Sequence, residues 1–390
     1  IKVLCWNINI LIESSNNKLL NYCELENFKG YDPYDTLNSK ISFFKKGNLI
    51  PAILIQIQKR NPINIRHLLG IQKEYNPKGM GLFLKAFCLL YNKTGDDKYK
   101  ENADFIFNYL INNYSKGFSG YCWGYNFDWA NPGNYLEKFY PSVVVTAFVI
   151  DGIYEYYNMT NSIKAKKIII DSCEFILKDL PIFKDETGVS IAYTPKSKGC
   201  CYNASMLGAE TLIKAYHLTG LKKYLNLANN AVNFVLSKQK KNGCWYYSLN
   251  PENNKERKQI DFHQGFILLS LFNYMKLSKI NNSKINNSIR IGLNFYYQRQ
   301  FFNSGKSLWR LPKKYPIDIH NQAVGIITFS KLSIFDEKYL NFSNKIAKWT
   351  IDNMQSEDGF FYYRKYRYFN NKIPYMRWSQ AWMLLALSTL

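Results

Sequence analysis

Between Cys201 and Tyr247 the spacing of hydrophobic positions predicts a helix, a short turn, a second helix, a glycine turn and an aromatic strand. Ala204, Leu207, Ala209, Leu212, Ile213, Ala215 and Tyr216 make the first helix apolar over most of its surface. It stops at Leu218-Thr219-Gly220, where Gly220 fits a C-terminal cap. The second carries Tyr224, Leu225, Leu227, Ala228, Ala231, Phe234 and Val235 on one stripe, with lysines elsewhere. Gln239, Gly243 and Trp245, then Tyr246 and Tyr247, close the unit. The first helix is therefore expected to be buried on several sides and the second to lie outside.

The unit recurs. Residues 79–125 run from Leu82 through Leu90, Thr94-Gly95-Asp96-Asp97, Phe105 and Leu110 to Gly120 and Trp123. Residues 142–193 repeat it with Val143 to Tyr156, Ile163 to Leu177, then Gly188 and Tyr193. Residues 262–309 and 319–363 end at Gly305-Trp309 and Gly359-Tyr363, and a sixth apolar helix, Met376 to Leu390, lacks an outer partner. The period is roughly 60 residues. An all-α (α/α)6 toroid follows, a single domain over 1–390 with short strands between units. Its inner helices are expected to start near 79, 142, 203, 262, 320 and 376. Residues 1–60 are read as peripheral and ring-closing, with the segment 38–60 set beside Met376–Leu390.

Composition refines this picture little. Hydrophobic residues at 47% and aromatics at 17% suffice for a large core. The net charge of +22, from 51 basic and 29 acidic residues, suits a polyanion partner. The abundance of Lys, Asn, Ile and Tyr that AT-rich coding produces explains the same balance. Eight cysteines lie apart from any CxxC pair, mostly inside apolar runs, which fits a reducing compartment. No signal peptide is legible and no apolar run reaches about 18 residues, so a cytoplasmic location without a membrane span is expected.

In a ring of helix pairs, functional side chains gather where one unit ends and the next inner helix begins. Those places are polar and aromatic here: Trp123 and Tyr125, Asn203, Asp261 with His263 and Gln264, and Trp309. Asp318 with His320, Asn321 and Gln322, then Arg364, Arg377 and Trp378, continue the set. Gly30-Tyr31-Asp32-Pro33-Tyr34-Asp35 adds two Tyr-Asp pairs around a proline that excludes a helix interior. His263 and His320 each follow an Asp by two residues, so Asp261 and Asp318 also read as helix N-caps.

No Cys/His spacing suits zinc, no Gly-rich loop suits a nucleotide, and no nucleic-acid module is present. No metal or cofactor is expected. Sugar stacking on Trp and Tyr, with Arg pairing carboxylates, accounts for the mouth better. Proton abstraction beside a uronate carboxylate needs a base, an acid and a carboxylate clamp. His263, His320, Tyr31, Tyr34, Asn321, Arg364 and Arg377 supply such groups. Glycoside hydrolysis needs two opposed carboxyl groups, for which Asp32, Asp35, Asp261 and Asp318 are candidates. Trp123, Tyr125, Asn203, Gln264, Trp309, Asn321, Gln322 and Trp378 are expected to bind substrate. A non-catalytic glycan-binding or assembly protein would use the same aromatic and basic groups.

Gln239-x-x-x-Gly243-x-Trp245, with a weaker copy at Gln355-x-x-x-Gly359-x-Phe361, resembles the structural glutamine-tryptophan motif of terpene cyclases. Their aspartate-rich acid motif is missing, which leaves an isoprenoid ligand as a lesser alternative. Gly30 through Ser39, Tyr75-Asn76-Pro77-Lys78-Gly79, Tyr363 through Tyr368 and Tyr375-Met376-Arg377-Trp378 resemble the VpsJ-type polysaccharide-biosynthesis proteins of surface-glycan loci. That resemblance implies a role on a surface polysaccharide, with an acidic or lipid-linked glycan as partner, and carries over no catalytic residue. Toroids of this shape also serve alginate and heparin lyases, glucuronyl epimerases and glycosidases, a likeness of fold alone.

Overall fold

A computed structural model of the chain describes residues 2–390 except 48, 133 and 281. Among the described residues the α-helices are α1 (Lys2–Leu25), α2 (Leu49–Arg60), α3 (Pro77–Thr94), α4 (Asp97–Asn112), α5 (Val143–Thr160), α6 (Ile163–Glu174), α7 (Tyr202–Thr219), α8 (Lys222–Ser237), α9 (His263–Ser278), α10 (Ser283–Gln300), α11 (Ile319–Lys331), α12 (Lys338–Met354) and α13 (Trp382–Ser388). A π-helical turn, Met376–Ala381, leads into α13. Helices α3, α5, α7, α9, α11 and α13 pack in succession, and α13 returns to α3, which closes an inner ring. Helices α4, α6, α8, α10 and α12 lie outside, each against the inner helix before it. The fold is the (α/α)6 toroid; the first five expected inner starts fall within two residues of the observed ones, and the sixth, 376, coincides with the π-helical turn that precedes α13.

Local chemistry sets the ends. Asn76 caps α3 by accepting from the Lys78 and Gly79 amides, and Pro77 occupies the first turn, where no amide donor is needed. Gly95 and Gly220 end α3 and α7 in left-handed conformations. Helix α7 is buried continuously from Tyr202 to Ala215, whereas α8 buries only the stripe from Tyr224 to Leu236 that faces inward. This is the inner–outer division read from the hydrophobic pattern.

Polar ties repeat with the helices. Gln264 accepts from the Trp245 amide at 2.9 Å and donates to its carbonyl at 2.7 Å. Gln380 does the same to Phe361 at 2.8 and 2.9 Å. Gln322 accepts from the Ser307 amide at 2.8 Å and donates to Thr350 Oγ1 at 2.8 Å. Thr146 and Ser205 accept from Trp123 and Ile191 at the equivalent turns. Buried backbone groups between repeats are thereby satisfied. Gln264 and Gln322, expected to bind substrate, are consequently engaged by groups of their own chain. Trp123 is likewise fully buried, and its indole donates to the Leu110 carbonyl at the end of α4 at 3.0 Å. Trp245 does the same to Val235 of α8 at 2.9 Å. Both rings bond carbonyls in the last turn of an outer helix, and the fully buried Trp123 is a packing residue rather than a sugar platform.

The ring is closed by α1. Gln239 donates to the Ser288 carbonyl of α10 at 3.0 Å and accepts from its hydroxyl at 2.7 Å. Gln355 makes the same pair with Ser15 of α1, at 3.0 and 2.7 Å. Helix α1 thus follows α12 as α10 follows α8, and it also packs on α13. The expectation that 38–60 takes this place is corrected: α2 packs on the 3-10 turn Asp35–Asn38 and on strand Trp129–Asn131. The reason is that α1 presents Ser15, Leu19 and Leu20 as a buried stripe, while α2 leaves Ile53 and Ile57 exposed. Gly359 sits at φ +96°, and a Cβ there would stand 2.2 Å from the Lys18 carbonyl of α1. Gly359→Ala is expected to cost about 1–3 kcal/mol through backbone strain and the clash. It should lower the melting temperature, which calorimetry would show.

The strands are short and antiparallel. Ile317–Asp318, Arg364–Lys365 and Asn370–Asn371 form one sheet, with Asp318 opposite Arg364 and Arg364 opposite Asn371. Across the lumen, Phe148 of α5, Phe266 of α9 and Trp382 of α13 meet with centroid separations of 5.1–5.5 Å. This aromatic layer divides the lumen. Toward the C-terminal ends of the inner helices, Lys214 donates to Asp151 at 2.8 Å and Glu210 at 2.7 Å, and Lys85 pairs with the other Asp151 oxygen. Ser270 and Asn273 complete Glu210 at 2.7 and 2.8 Å. The cavity beside them has a volume of about 40 Å³, space for a few waters and for no sugar ring.

Candidate active site

The other face of the aromatic layer is the ring mouth, where the inner helices begin. Its aspartates are held from several directions. Asp318 caps α11 by accepting from the His320 amide, and also accepts from Arg364 Nε at 2.7 Å and the Trp378 indole at 2.8 Å. Asp32 takes a bidentate pair from Arg377, Nε at 2.6 Å and a terminal nitrogen at 2.8 Å. Asp35 accepts from Arg66 Nε at 2.7 Å and from the Asp32 amide at 2.8 Å. Burial pushes the Asp35 carboxyl up to about 6 in spite of Arg66. Asp261 bonds the ring and amide of His263, accepts from Gln259 at 2.7 Å and has Arg310 3.5 Å away. Burial opposes its ionisation, but His263 and Arg310 hold it below the usual carboxylate range.

Within this frame the two histidines differ. His263 is tied to Asp261, and its side chain is 18% exposed. His320 is buried, and neither ring nitrogen has a hydrogen-bond partner among the described residues. Its ring stacks on Phe262 at 4.3 Å and meets Trp378 and Trp382, each at 4.6 Å. Phe262 also stacks on His263 at 4.3 Å, so one phenyl ring bridges both imidazoles. Burial first, then the charges of Lys78 and Arg377, keep His320 neutral far below its ordinary value of 6.5.

Lys78 faces the same layer. Its ammonium lies 4.2 Å from the Phe148 centroid, 5.4 Å from Trp382 and 5.8 Å from Phe266. No carboxylate stands within ion-pair distance of it among the described residues. Burial, then Arg377, moves its ammonium well below 10.5. Tyr34 packs on Trp378 at 5.8 Å and accepts a hydrogen bond from Lys59. Burial raises this phenol, but Lys59, Arg364 and Arg377 outweigh it and bring it below its ordinary value. Half-buried Tyr125, Tyr193 and Tyr247 lie along the mouth. Arg377 is 5.0 Å from the Tyr125 ring, and His263 is 4.9 Å from that of Tyr247.

The structure brings Asp32, Tyr34, Tyr125, Asp261, His263, Asp318, His320, Arg364, Arg377 and Trp378 into one connected mouth, with Asp35 behind Asp32. Trp309 flanks it, 5.7 Å from Arg364. Arg364 and Arg377, expected to clamp a substrate carboxylate, hold carboxylates of their own chain. Tyr31 stays apart: its ring lies 5.8 Å from Arg66, and its carbonyl accepts from the Met376 amide. Asn321 donates to the Leu308 and Trp309 carbonyls at 2.7 and 3.0 Å, and Asn203 accepts from the Cys201 thiol at 3.0 Å. Lys78 and Phe262 were not among the sequence candidates. A lysine in the first turn of an apolar inner helix is a usable signal for the first. Phe262 carries no pattern that separates it from core.

No family model and no curated protein matches the sequence. Solved structures do. The chain is similar to a sugar epimerase from a ruminal bacterium (TM-score 0.61, 14% identity, 82% of this chain and 90% of that one). It is similar to the cellobiose 2-epimerase of Bacillus thermoamylovorans (TM-score 0.63, 15% identity, 82% and 90%). It is also similar to an unsaturated glucuronyl hydrolase specific for heparin (TM-score 0.65, 13% identity, 98% and 96%). At these identities the likeness establishes the toroid fold. No helix among the described residues is long and apolar enough to cross a membrane.

Proposed function

We propose that this chain is a carbohydrate-active enzyme that removes the proton beside a carboxylate of an acidic glycan, as a lyase or C5-epimerase of surface polysaccharide. One observation carries the reading: among the described residues, a buried neutral imidazole, His320, has both nitrogens unpartnered and stands beside a buried ammonium, Lys78, that has no carboxylate within ion-pair distance. A buried polar atom without a partner costs about 1–3 kcal/mol, so the arrangement suits a site completed by its ligand. His320 takes the proton from the carbon next to the substrate carboxylate. The C–H electron pair becomes a C=C bond, and the charge gathers on the carboxylate oxygens. Lys78 neutralises that charge where water is excluded. In elimination the pair then expels the β-oxygen, which takes a proton from an acid. Tyr34, whose phenol is more acidic than usual, is the proposed donor. In epimerisation an acid on the opposite face returns the proton to carbon.

Two-carboxylate hydrolysis fits less well. Asp32, Asp35, Asp261 and Asp318 each hold a cation and a backbone amide of their own chain, so none stands free as nucleophile or acid. The toroid fold, shared with two epimerases and a heparin-specific glucuronyl hydrolase, and the resemblance to VpsJ-type proteins support a glycan substrate. The test is incubation with uronate-containing and neutral glycans in heavy water. Deuterium is expected at the carbon beside the carboxylate, or an unsaturated uronate at the new chain end. Hydrolysis of a neutral glycan, with no exchange on any uronate polymer, would overturn the reading.

A further inference from the structure

Beyond the mouth, one part of the rim is rich in basic and aromatic residues. Residues 299–317 hold Arg299, Lys306, Arg310, Lys313 and Lys314, and residues 362–377 hold Arg364, Lys365, Arg367, Lys372 and Arg377. Neither stretch contains Asp or Glu. The sheet joins them, with Ile317 opposite Lys365 and Asp318 opposite Arg364. Some surface lysines elsewhere find carboxylates, as Lys73 does with Glu26, Lys98 with Glu24, Lys223 with Glu174 and Lys240 with Glu256. On this rim Lys306, Lys313, Lys314, Lys365, Arg367 and Lys372 have no acid within ion-pair distance among the described residues.

Aromatic rings stand among these cations. Tyr368 is 83% exposed and Phe369 49%, and Tyr366 stacks on Phe369 at 4.5 Å with an 11° interplanar angle. Lys306 donates to the Tyr315 hydroxyl at 2.9 Å. The rim leads inward through Trp309, whose ring lies 4.9 Å from Arg310 and 5.7 Å from Arg364, the partner of Asp318 in the mouth.

We infer that the hairpin tip 365–369 and the loop 306–315 form an outer subsite that holds an acidic polysaccharide strand running into the mouth. Cations spaced along two adjacent segments match carboxylates or sulfates spaced along a chain, and the interleaved rings offer faces to the sugars between them. Continuity with Trp309 and Arg364 favours a strand over a bilayer, which would meet the tip and leave the mouth unused. The inference extends the acidic-glycan reading to polymers longer than a disaccharide, but its binding surface lies outside the proton-abstraction residues.

The experiment compares polygalacturonate polymer with its disaccharide, by calorimetric titration at several salt concentrations. The proteins are wild type, the exposed triple variant Lys313→Gln/Lys314→Gln/Arg367→Gln, and Tyr368→Ala. The triple variant is expected to lower the ratio of polymer to disaccharide affinity about tenfold and to flatten the salt dependence of polymer binding. Tyr368→Ala is expected to lower the same ratio without changing the salt slope. An unchanged ratio in both variants overturns the subsite. Equal loss of binding to duplex DNA or to phosphatidylserine vesicles overturns the polysaccharide assignment. If wild type binds the polymer and the triple variant does not, while no uronate is turned over, the subsite stands and the proposed reaction falls.

Discussion

His320→Gln is expected to lower turnover of an acidic glycan by a factor of about 10²–10⁴, the usual contribution of a positioned general base. The chain should stay folded, because neither imidazole nitrogen has a partner to lose among the described residues. A melting temperature within a few degrees of wild type, beside lost turnover, separates the catalytic role from packing. A variant that keeps full turnover would remove His320 as the base. The pH profile gives an independent check. His320 is needed neutral, and its surroundings keep it neutral well below 6.5, so the acid limb of kcat/KM is expected below that value. Lys78 is needed charged, and burial moves its loss of charge well below 10.5, so the alkaline limb is also displaced toward acid.

The largest stability effect is expected below the aromatic layer. Asp151→Ala removes the carboxylate shared by Lys85 of α3 and Lys214 of α7. It leaves both ammonium groups buried with less compensation, at about 3–5 kcal/mol. Denaturant unfolding at neutral pH measures the loss. The sign with pH follows from the direction of the shift. Burial would raise the Asp151 carboxyl, but Lys214 and Lys85 overcome it and hold it far below the usual range. Its folded pKa is therefore lower than its unfolded value of about 4. Its contribution is fully present above about pH 4 and fades as pH falls below that. The difference between wild type and variant should shrink in acid. A constant difference down to pH 3, roughly a unit below the unfolded pKa, would mean that the cluster is not held by this charge.

The inner–outer alternation was legible because burial writes itself into hydrophobic period: α7 apolar over most of its surface, α8 on one stripe. Closure by α1 was legible only in part. Gln239 and Gln355 could be matched as motif copies, but nothing in one dimension says that Gln355 meets Ser15, 340 residues earlier. Which residues gather at the mouth was legible by position, since an inner-helix start is also a mouth. Their roles were not. Trp123, Gln264 and Gln322 sit at mouth positions and carry polar groups, yet those groups satisfy backbone inside the chain. Arg364 and Arg377 have the guanidinium geometry for a substrate carboxylate, yet Asp318 and Asp32 reach them first.

The sequence by itself determined the toroid, because a repeating pattern of burial leaves a helix-pair ring as the way to cover every apolar face. It also determined that the mouth would be aromatic and basic. Only the tertiary structure decided which polar groups are spent on the protein and which are left over. Hydrogen bonds and ion pairs are settled by distances of a few ångströms between residues that lie far apart in the chain, and residue type alone does not carry that information. The pairing of every mouth aspartate, and the leftover His320 and Lys78 above the Phe148, Phe266 and Trp382 layer, are consequences of ring closure.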